Sequence, residues 1–260
     1  MIKPVLKYYD VADSVKAFSS TRKGGVSKDS FGEFNINSFC GDDDWCITEN
    51  KKALAEELSV DVDNIIMPHQ IHRIECRTIA PEFFSMPENI RKMLLDGVDC
   101  VLTDIKNLCI GVSTADCIPI LLYDEDHHAI AAVHAGWRGT LNRIAHRAIV
   151  EMCNVYKSNP SRIKAVIGPG ISMENFEVGD EVYQQFEAVG FNMPLISKKY
   201  EKWHINLPEC NHIQLREAGL KDENILMSGI CTFSRSEDYF SARKLGQHSG
   251  RIFSGIMIAE

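Results

Sequence analysis

Residues 98–133 constrain the fold more than any other part of the chain. They hold four short apolar runs, at 98–102, 108–112, 118–123 and 129–133, bounded by Asp, Gly, Pro and Thr. Runs this short, mostly apolar rather than alternating, fit strands buried on both faces. The period then changes. From Trp137 to Tyr156, the residues Leu141, Ile144, Ala145, Ala148, Met152 and Val155 recur at helical spacing and predict one helix of about five turns. Further strands are expected at 15–19, before the turn Lys23-Gly24-Gly25, and at 65–67 and 74–79. Others fall at 164–167, closed by Gly168-Pro169-Gly170, and at 225–227 and 251–258. Helices are expected at 47–58, with Thr48 as N-cap and Ala53, Leu54 and Leu58 buried, and at 180–187. Another starts at Pro208 and is capped by Gly219, and a short one rides on a loop within 81–95. Strands outnumber helices and follow no simple βαβ rhythm. The fold class is therefore α/β or α+β with a mixed sheet. No repeat or low-complexity linker divides residues 1–260, so a single domain is expected.

The chain has 260 residues, 45% hydrophobic and 25% charged, the make-up of an ordinary globule. Its net charge of −8 argues against tracking a nucleic-acid backbone or an anionic membrane, both of which reward a basic surface. The longest apolar run, 117–123, contains Pro119 and is far short of the ~20 residues that span a bilayer. Nine cysteines, an odd number with no Cys-x-x-Cys pair, do not form a secreted disulfide framework. Lys3, Lys7 and Asp10 interrupt the N-terminus before a signal-peptide core can form. A reducing cytoplasm is the expectation. A chain this long buries enough surface to fold unaided, so a metal site in it is expected to be chemical rather than structural.

Three segments put a metal-capable side chain at a strand end: Gln70-Ile71-His72, Ser113 to Pro119 around Cys117, and Val133 to Gly139 around His134. Two imidazoles and a thiolate are borderline-soft donors suited to zinc, and three protein ligands leave a fourth tetrahedral position open, as a catalytic zinc requires. The intervals of 45 and 17 residues match no local zinc motif. Spacing alone leaves open the plainer reading of two hydrogen-bonded histidines and an inert buried thiol.

Gln70-Ile71-His72 is followed by Val98-Asp99-Cys100-Val101-Leu102-Thr103, Thr114-Ala115-Asp116-Cys117-Ile118-Pro119 and His134-Ala135-Gly136-Trp137-Arg138-Gly139. In this order the segments resemble the signatures of the YfiH/laccase-domain-containing family, also called multicopper polyphenol oxidase-like. Thr21-Arg22, Gly24 to Ser27, Asn35, Gly168 to Ile171, Phe176 to Gly179, Cys231-Thr232, Tyr239 to Arg243 and Gly250-Arg251 extend the likeness over nearly the whole chain. The resemblance implies αββα-type layers around a mixed β-core and one zinc on His72, Cys117 and His134. It implies purine nucleoside phosphorylase activity on adenosine, inosine, guanosine and methylthioadenosine, with adenosine deaminase activity. It also implies two alternatives: a laccase-like polyphenol oxidase, or a bacterial branch that edits peptidoglycan precursors. The chain departs from the pattern at Arg73, where Gly is usual, and at Ala242, where an aromatic is usual.

The residues bear on these alternatives. Nine His in total and no His-x-His pair do not suit a four-copper oxidase, although a single copper would suit the same donors as zinc. Phosphorolysis needs cationic groups for phosphate. Arg138, at the start of the expected helix, is one candidate, and Arg22, Arg243 and Arg251 are others, each weighed against a plain surface ion pair. Asn35 and Gln70, carried by the resemblance, are further substrate-binding candidates. The His-x-Glu with Pro-Cys-x-x-Cys of zinc deaminases is absent, as are Walker A and Gly-x-Gly-x-x-Gly patterns. Two rival classes stay open: a metal-free hydrolase with Cys117 as nucleophile and His134 as base, and a non-enzymatic binding protein that has kept the fold.

Overall fold

The four apolar runs become the middle of the molecule. The computed structural model describes residues 2–259. Its strands are β1 (Leu6–Ala12), β2 (Val15–Ser20), β3 (Ile65–Ile66), β4 (Cys76–Thr78), β5 (Cys100–Thr103), β6 (Cys109–Thr114) and β7 (Ile118–Asp124). They continue with β8 (Ala129–Ala135), β9 (Ile163–Ile167), β10 (Glu177–Val178), β11 (Ser197–Lys199), β12 (Trp203–Ile205), β13 (Ile225–Met227) and β14 (Ile252–Ile258). A six-stranded sheet has the order β13-β9-β7-β8-β5-β4, and a five-stranded sheet the order β1-β2-β14-β6-β3. Both are mixed: β4/β5, β9/β13 and β3/β6 run parallel and the other pairs antiparallel.

Every residue of β7 and β8 is buried, because each face of their sheet is covered. Leu121, Tyr123, Ile130 and Ala132 face Ala17, Ile110, Val112 and Ile256 of the five-stranded sheet. Ile120, Leu122, Ala131 and Val133 face the helices Ile144–Tyr156 and Leu207–Glu217 through Ala148, Met152, Cys210 and Leu215. On the far side, Phe18, Phe253 and Met257 pack on Leu54, Ala55 and Leu58 of the helix Asp44–Leu58. The layers are thus helix, sheet, sheet, helix, and the fold is mixed α/β as expected. Ser254, a polar residue in the fully buried β14, lies opposite Ser19 of β2, and their hydroxyls pair at 2.7 Å. That bond satisfies the Ser254 hydroxyl, which would otherwise be buried unpaired, while Ser19 also accepts from the Tyr9 hydroxyl at 3.0 Å.

Several local expectations need correction. The helix expected over 137–156 is two helices, Trp137–Leu141 and Ile144–Tyr156, because Arg143 adopts φ +64° and ends the first. The guanidinium of Arg143 lies 4.4 Å from the Phe191 ring centre and pairs with Glu217, which holds the strained backbone. Apolar periodicity runs straight through such a break, since Leu141 and Ile144 still fall on one stripe. The N-cap of the first long helix is Asp43, whose carboxylate accepts from the N–H of Trp45 and Cys46. Thr48 lies inside that helix and donates to the carbonyl of Asp44. The segment 81–95 forms two helices, Glu82–Ser85 and Glu88–Leu95, since Met86 is held extended before Pro87. Strand β1 and the three-stranded sheet β10-β12-β11 were not expected from the pattern. The strands of that small sheet, two or three residues each, are too short to carry a period.

Candidate functional site

The pairing of β7 with β8 builds the site. Pro119 lies opposite His134 and Ile118 opposite Ala135. Cys117, the residue before β7, therefore falls diagonally across from His134 on the same face, within side-chain reach. Gly136, just beyond β8, completes the crossing. A Cβ on Gly136 would stand 2.9 Å from His72 Cδ2 and 3.0 Å from Cys117 Sγ, so only glycine leaves the space open.

His72 arrives from a loop 27 residues before Asp99, and the Asp99 carboxylate anchors that loop. One oxygen accepts from His72 N (3.0 Å), the other from Arg73 N (2.8 Å) and Ile71 N (3.3 Å). Three consecutive N–H groups converge in this way because His72 takes φ +64°, a turn of the kind that cradles an anion. Arg73 is outside the left-handed region, so the glycine usual at its position is not required by the backbone. The same Asp99 oxygen that meets His72 N also accepts from His134 Nδ1 at 2.7 Å. An ionised carboxylate only accepts, so Nδ1 carries the proton and Nε2 is the atom His134 presents to the site. One fully buried carboxylate thereby fixes two of the three expected donors.

The candidate ligand atoms of His72, Cys117 and His134 lie within 4.8 Å of one another, and the two imidazoles meet edge to face. His134 is 3% exposed, whereas His72 is open to solvent. Burial opposes ionisation of Cys117, but the charge and hydrogen bonds of His134 and His72 bring the thiol down to about 6. Burial likewise opposes charging of His134, and Cys117 and Asp99 together raise the imidazole to about 9. Burial would raise Asp99 as well, yet the His134 hydrogen bond and charge, with the N–H groups of Arg73 and Ile71, hold its carboxyl below the ordinary value. At neutral pH the metal-free site is a thiolate facing an imidazolium.

Two cavities meet at His72 and Cys117, and the smaller one also reaches His134. One, of about 180 Å³, is lined by Asn37, Gln70, Ser113, Thr114 and Arg251 among others. The second, of about 780 Å³, is lined by Asp116, Trp137, Arg138, Phe176, Glu177 and Arg243 among others. His72, Ala115, Cys117, Ala242 and Gln247 border both. Gln70 brackets β6, donating to Ser113 O at 2.8 Å and accepting from Ser113 N at 2.7 Å. Arg138 stacks over Trp137 with 4.2 Å to the ring centre. The Arg243 guanidinium donates to Glu177 O and lies 5.6 Å from the Phe176 ring centre, while its backbone N–H reaches Asp116. Arg22 and Asn35 border neither cavity. The Arg22 guanidinium donates to the carbonyls of Gly32 and Ser236. Buried Asn35 donates to Asp42 and accepts from the N–H of Asn37 and Arg251. Ala242, where an aromatic is usual, stands at the junction and leaves that wall open. Asp99 was not among the expected site residues. Its signal was present in the sequence: one carboxylate inside the otherwise apolar run 98–102.

Comparison with known proteins agrees with this geometry. The family model described as multi-copper polyphenol oxidoreductase laccase matches residues 16–259. A protein of Bacteroides thetaiotaomicron named purine nucleoside phosphorylase is 39% identical over 248 residues, covering 94% of this chain and 92% of its own. A protein named adenosine deaminase RL5, from an unknown prokaryotic organism, is 37% identical over 254 residues, covering 96% and 97%. Among solved structures, the hypothetical protein YfiH of Bacillus licheniformis superposes with a TM-score of 0.91 at 26% identity, covering 98% of this chain and 97% of its own. YlmD of Geobacillus stearothermophilus gives 0.89 at 26%, covering 97% and 94%. The chain is therefore an enzyme of the multi-copper polyphenol oxidoreductase laccase family, the YfiH family that its sequence signatures resemble.

Proposed function

We propose that this chain is a zinc-dependent purine nucleoside phosphorylase with accompanying adenosine deaminase activity, working as one catalytic domain over residues 1–260 in a reducing cytoplasm. The observation that carries the reading is the His-Cys-His donor set at the junction of two cavities. The relatives named purine nucleoside phosphorylase and adenosine deaminase support it. The donors fit the ion: His72, Cys117 and His134 would hold it, Asp99 orients one imidazole, and the missing Cβ of Gly136 keeps the centre clear. When bound, zinc would supply Lewis acidity there. Copper on the same donors is the laccase-like alternative, and nine histidines without a His-x-His pair count against a multicopper centre.

In phosphorolysis a phosphate oxygen bonds to the anomeric carbon of the ribose while the bond from that carbon to the purine nitrogen breaks. The electron pair leaves with the base, and the proton of hydrogen phosphate ends on that nitrogen. In deamination water adds to the purine carbon that bears the amine, and ammonia leaves. For both reactions the chain supplies two adjoining compartments, Arg138, Arg243 and Arg251 at their walls, and Trp137 and Phe176 as apolar surfaces for a purine.

The test is a product assay on adenosine with and without phosphate. Adenine and ribose 1-phosphate formed only with phosphate mark the phosphorylase, and inosine formed without it marks the deaminase. No turnover of adenosine, inosine, guanosine or methylthioadenosine overturns the reading. The thiolate–imidazolium pair of Cys117 and His134 favours a second reading, a Cys/His hydrolase acting on amides such as those of peptidoglycan precursors. Amide hydrolysis that survives chelation but is lost on thiol alkylation selects that one.

A further inference from the structure

The two cavities differ in charge as well as size. No Asp or Glu lines the smaller one. Its cation is Arg251, which has no carboxylate partner among the described residues. The Arg251 guanidinium instead donates to the carbonyls of Gln247, Ser249 and Gly250. Carbonyls orient a guanidinium without neutralising it, and three bonds leave donors to spare. Asn37 and Gln70 add neutral amides to the wall, and Thr114 brings a buried hydroxyl with no partner. At about 180 Å³ the cavity is smaller than the ~300–1,000 Å³ of sites for drug-sized ligands.

The larger cavity has the opposite character. Its two arginines share the lining with the carboxylate residues Asp116 and Glu177 and with the rings of Trp137 and Phe176. Carboxylates repel a phosphate dianion but accept hydrogen bonds from ribose hydroxyls and an exocyclic amine, and the rings suit a purine face. Because both cavities end on His72 and Cys117, occupants of the two meet there, as reacting partners must.

We infer that the smaller cavity is the phosphate subsite, anchored by Arg251, and that the larger one takes the nucleoside. This assignment rests on the phosphorylase reading above. The probe is inorganic phosphate alone, titrated calorimetrically into the wild-type protein and three variants. Arg251→Ala weakens phosphate binding about tenfold or more, the scale of a lost charge-assisted hydrogen bond. Gln247→Glu puts a carboxylate on an exposed residue beside Arg251, where folding is not at risk, and weakens phosphate comparably. Arg243→Ala, in the larger cavity, leaves phosphate affinity unchanged. Wild-type affinity in both Arg251→Ala and Gln247→Glu, or loss in Arg243→Ala alone, overturns the assignment. So does wild-type protein that takes up no phosphate, whatever else it catalyses. Protein that binds phosphate through Arg251 yet turns over no nucleoside leaves the subsite standing and removes the phosphorylase reading instead.

Discussion

Asp99→Asn isolates the residue that organises the site. The substitution keeps shape and volume but turns one acceptor oxygen into an NH₂ group. With the amide oxygen toward His134 Nδ1 and His72 N, the NH₂ faces the N–H groups of Arg73 and Ile71, and two bonds are lost donor to donor. Residues 71–73 are exposed, so water partly replaces the lost partners, and the cost is about 2–4 kcal/mol rather than that of two fully buried orphans. The larger effect falls on the metal. A neutral amide no longer supports His134 as a donor, and removing such a partner typically costs about 10–100-fold in metal affinity. That range equals about 1.4–2.8 kcal/mol. The expected result is a weakened zinc affinity in chelator competition, together with faster amide hydrogen exchange at residues 71–73 and retained exchange protection in β7 and β8. Wild-type zinc affinity with unchanged protection of the loop would refute the claim that Asp99 joins the two histidines.

His72→Ala, Cys117→Ala and His134→Ala each lose bound zinc and turnover while staying folded, read by metal stoichiometry beside circular dichroism; a variant that keeps both is not a ligand. Gly136→Ala meets no backbone penalty at φ −68°, yet its Cβ enters the space between His72 and Cys117, so metal is lost with little change in melting temperature. Full metal loading of that variant contradicts the steric reading. In metal-free protein the Cys117 thiolate forms with a midpoint near 6, against ~8.5 for a free thiol, followed by ultraviolet absorbance or alkylation rate; an ordinary midpoint removes the ion pair. The same pair shapes stability. The lowered thiol value contributes stability that is lost as pH falls through about 6, and the raised imidazole value contributes stability that is lost as pH rises through about 9. Metal-free protein therefore melts highest between those limits, and Cys117→Ala flattens the profile.

Much of the fold was legible because the middle strands are buried on both faces and show it as unbroken apolar runs, as at 118–123 and 129–133. The helix 44–58 and the strand 252–258 were legible for related reasons, although Asp43 rather than Thr48 starts the helix. A break made by a left-handed Arg143 leaves no trace in a hydrophobic period, and neither do strands as short as β10 and β12.

The sequence by itself determined the donor types: two imidazoles and a thiol, each beside a strand end. Tertiary structure alone decided that they meet. Cys117 reaches His134 through antiparallel register, with Pro119 opposite His134, and His72 joins them through the Asp99 carboxylate and the missing Cβ of Gly136. Register and long-range hydrogen bonds depend on which strands pair, and no local spacing of 45 and 17 residues encodes that choice.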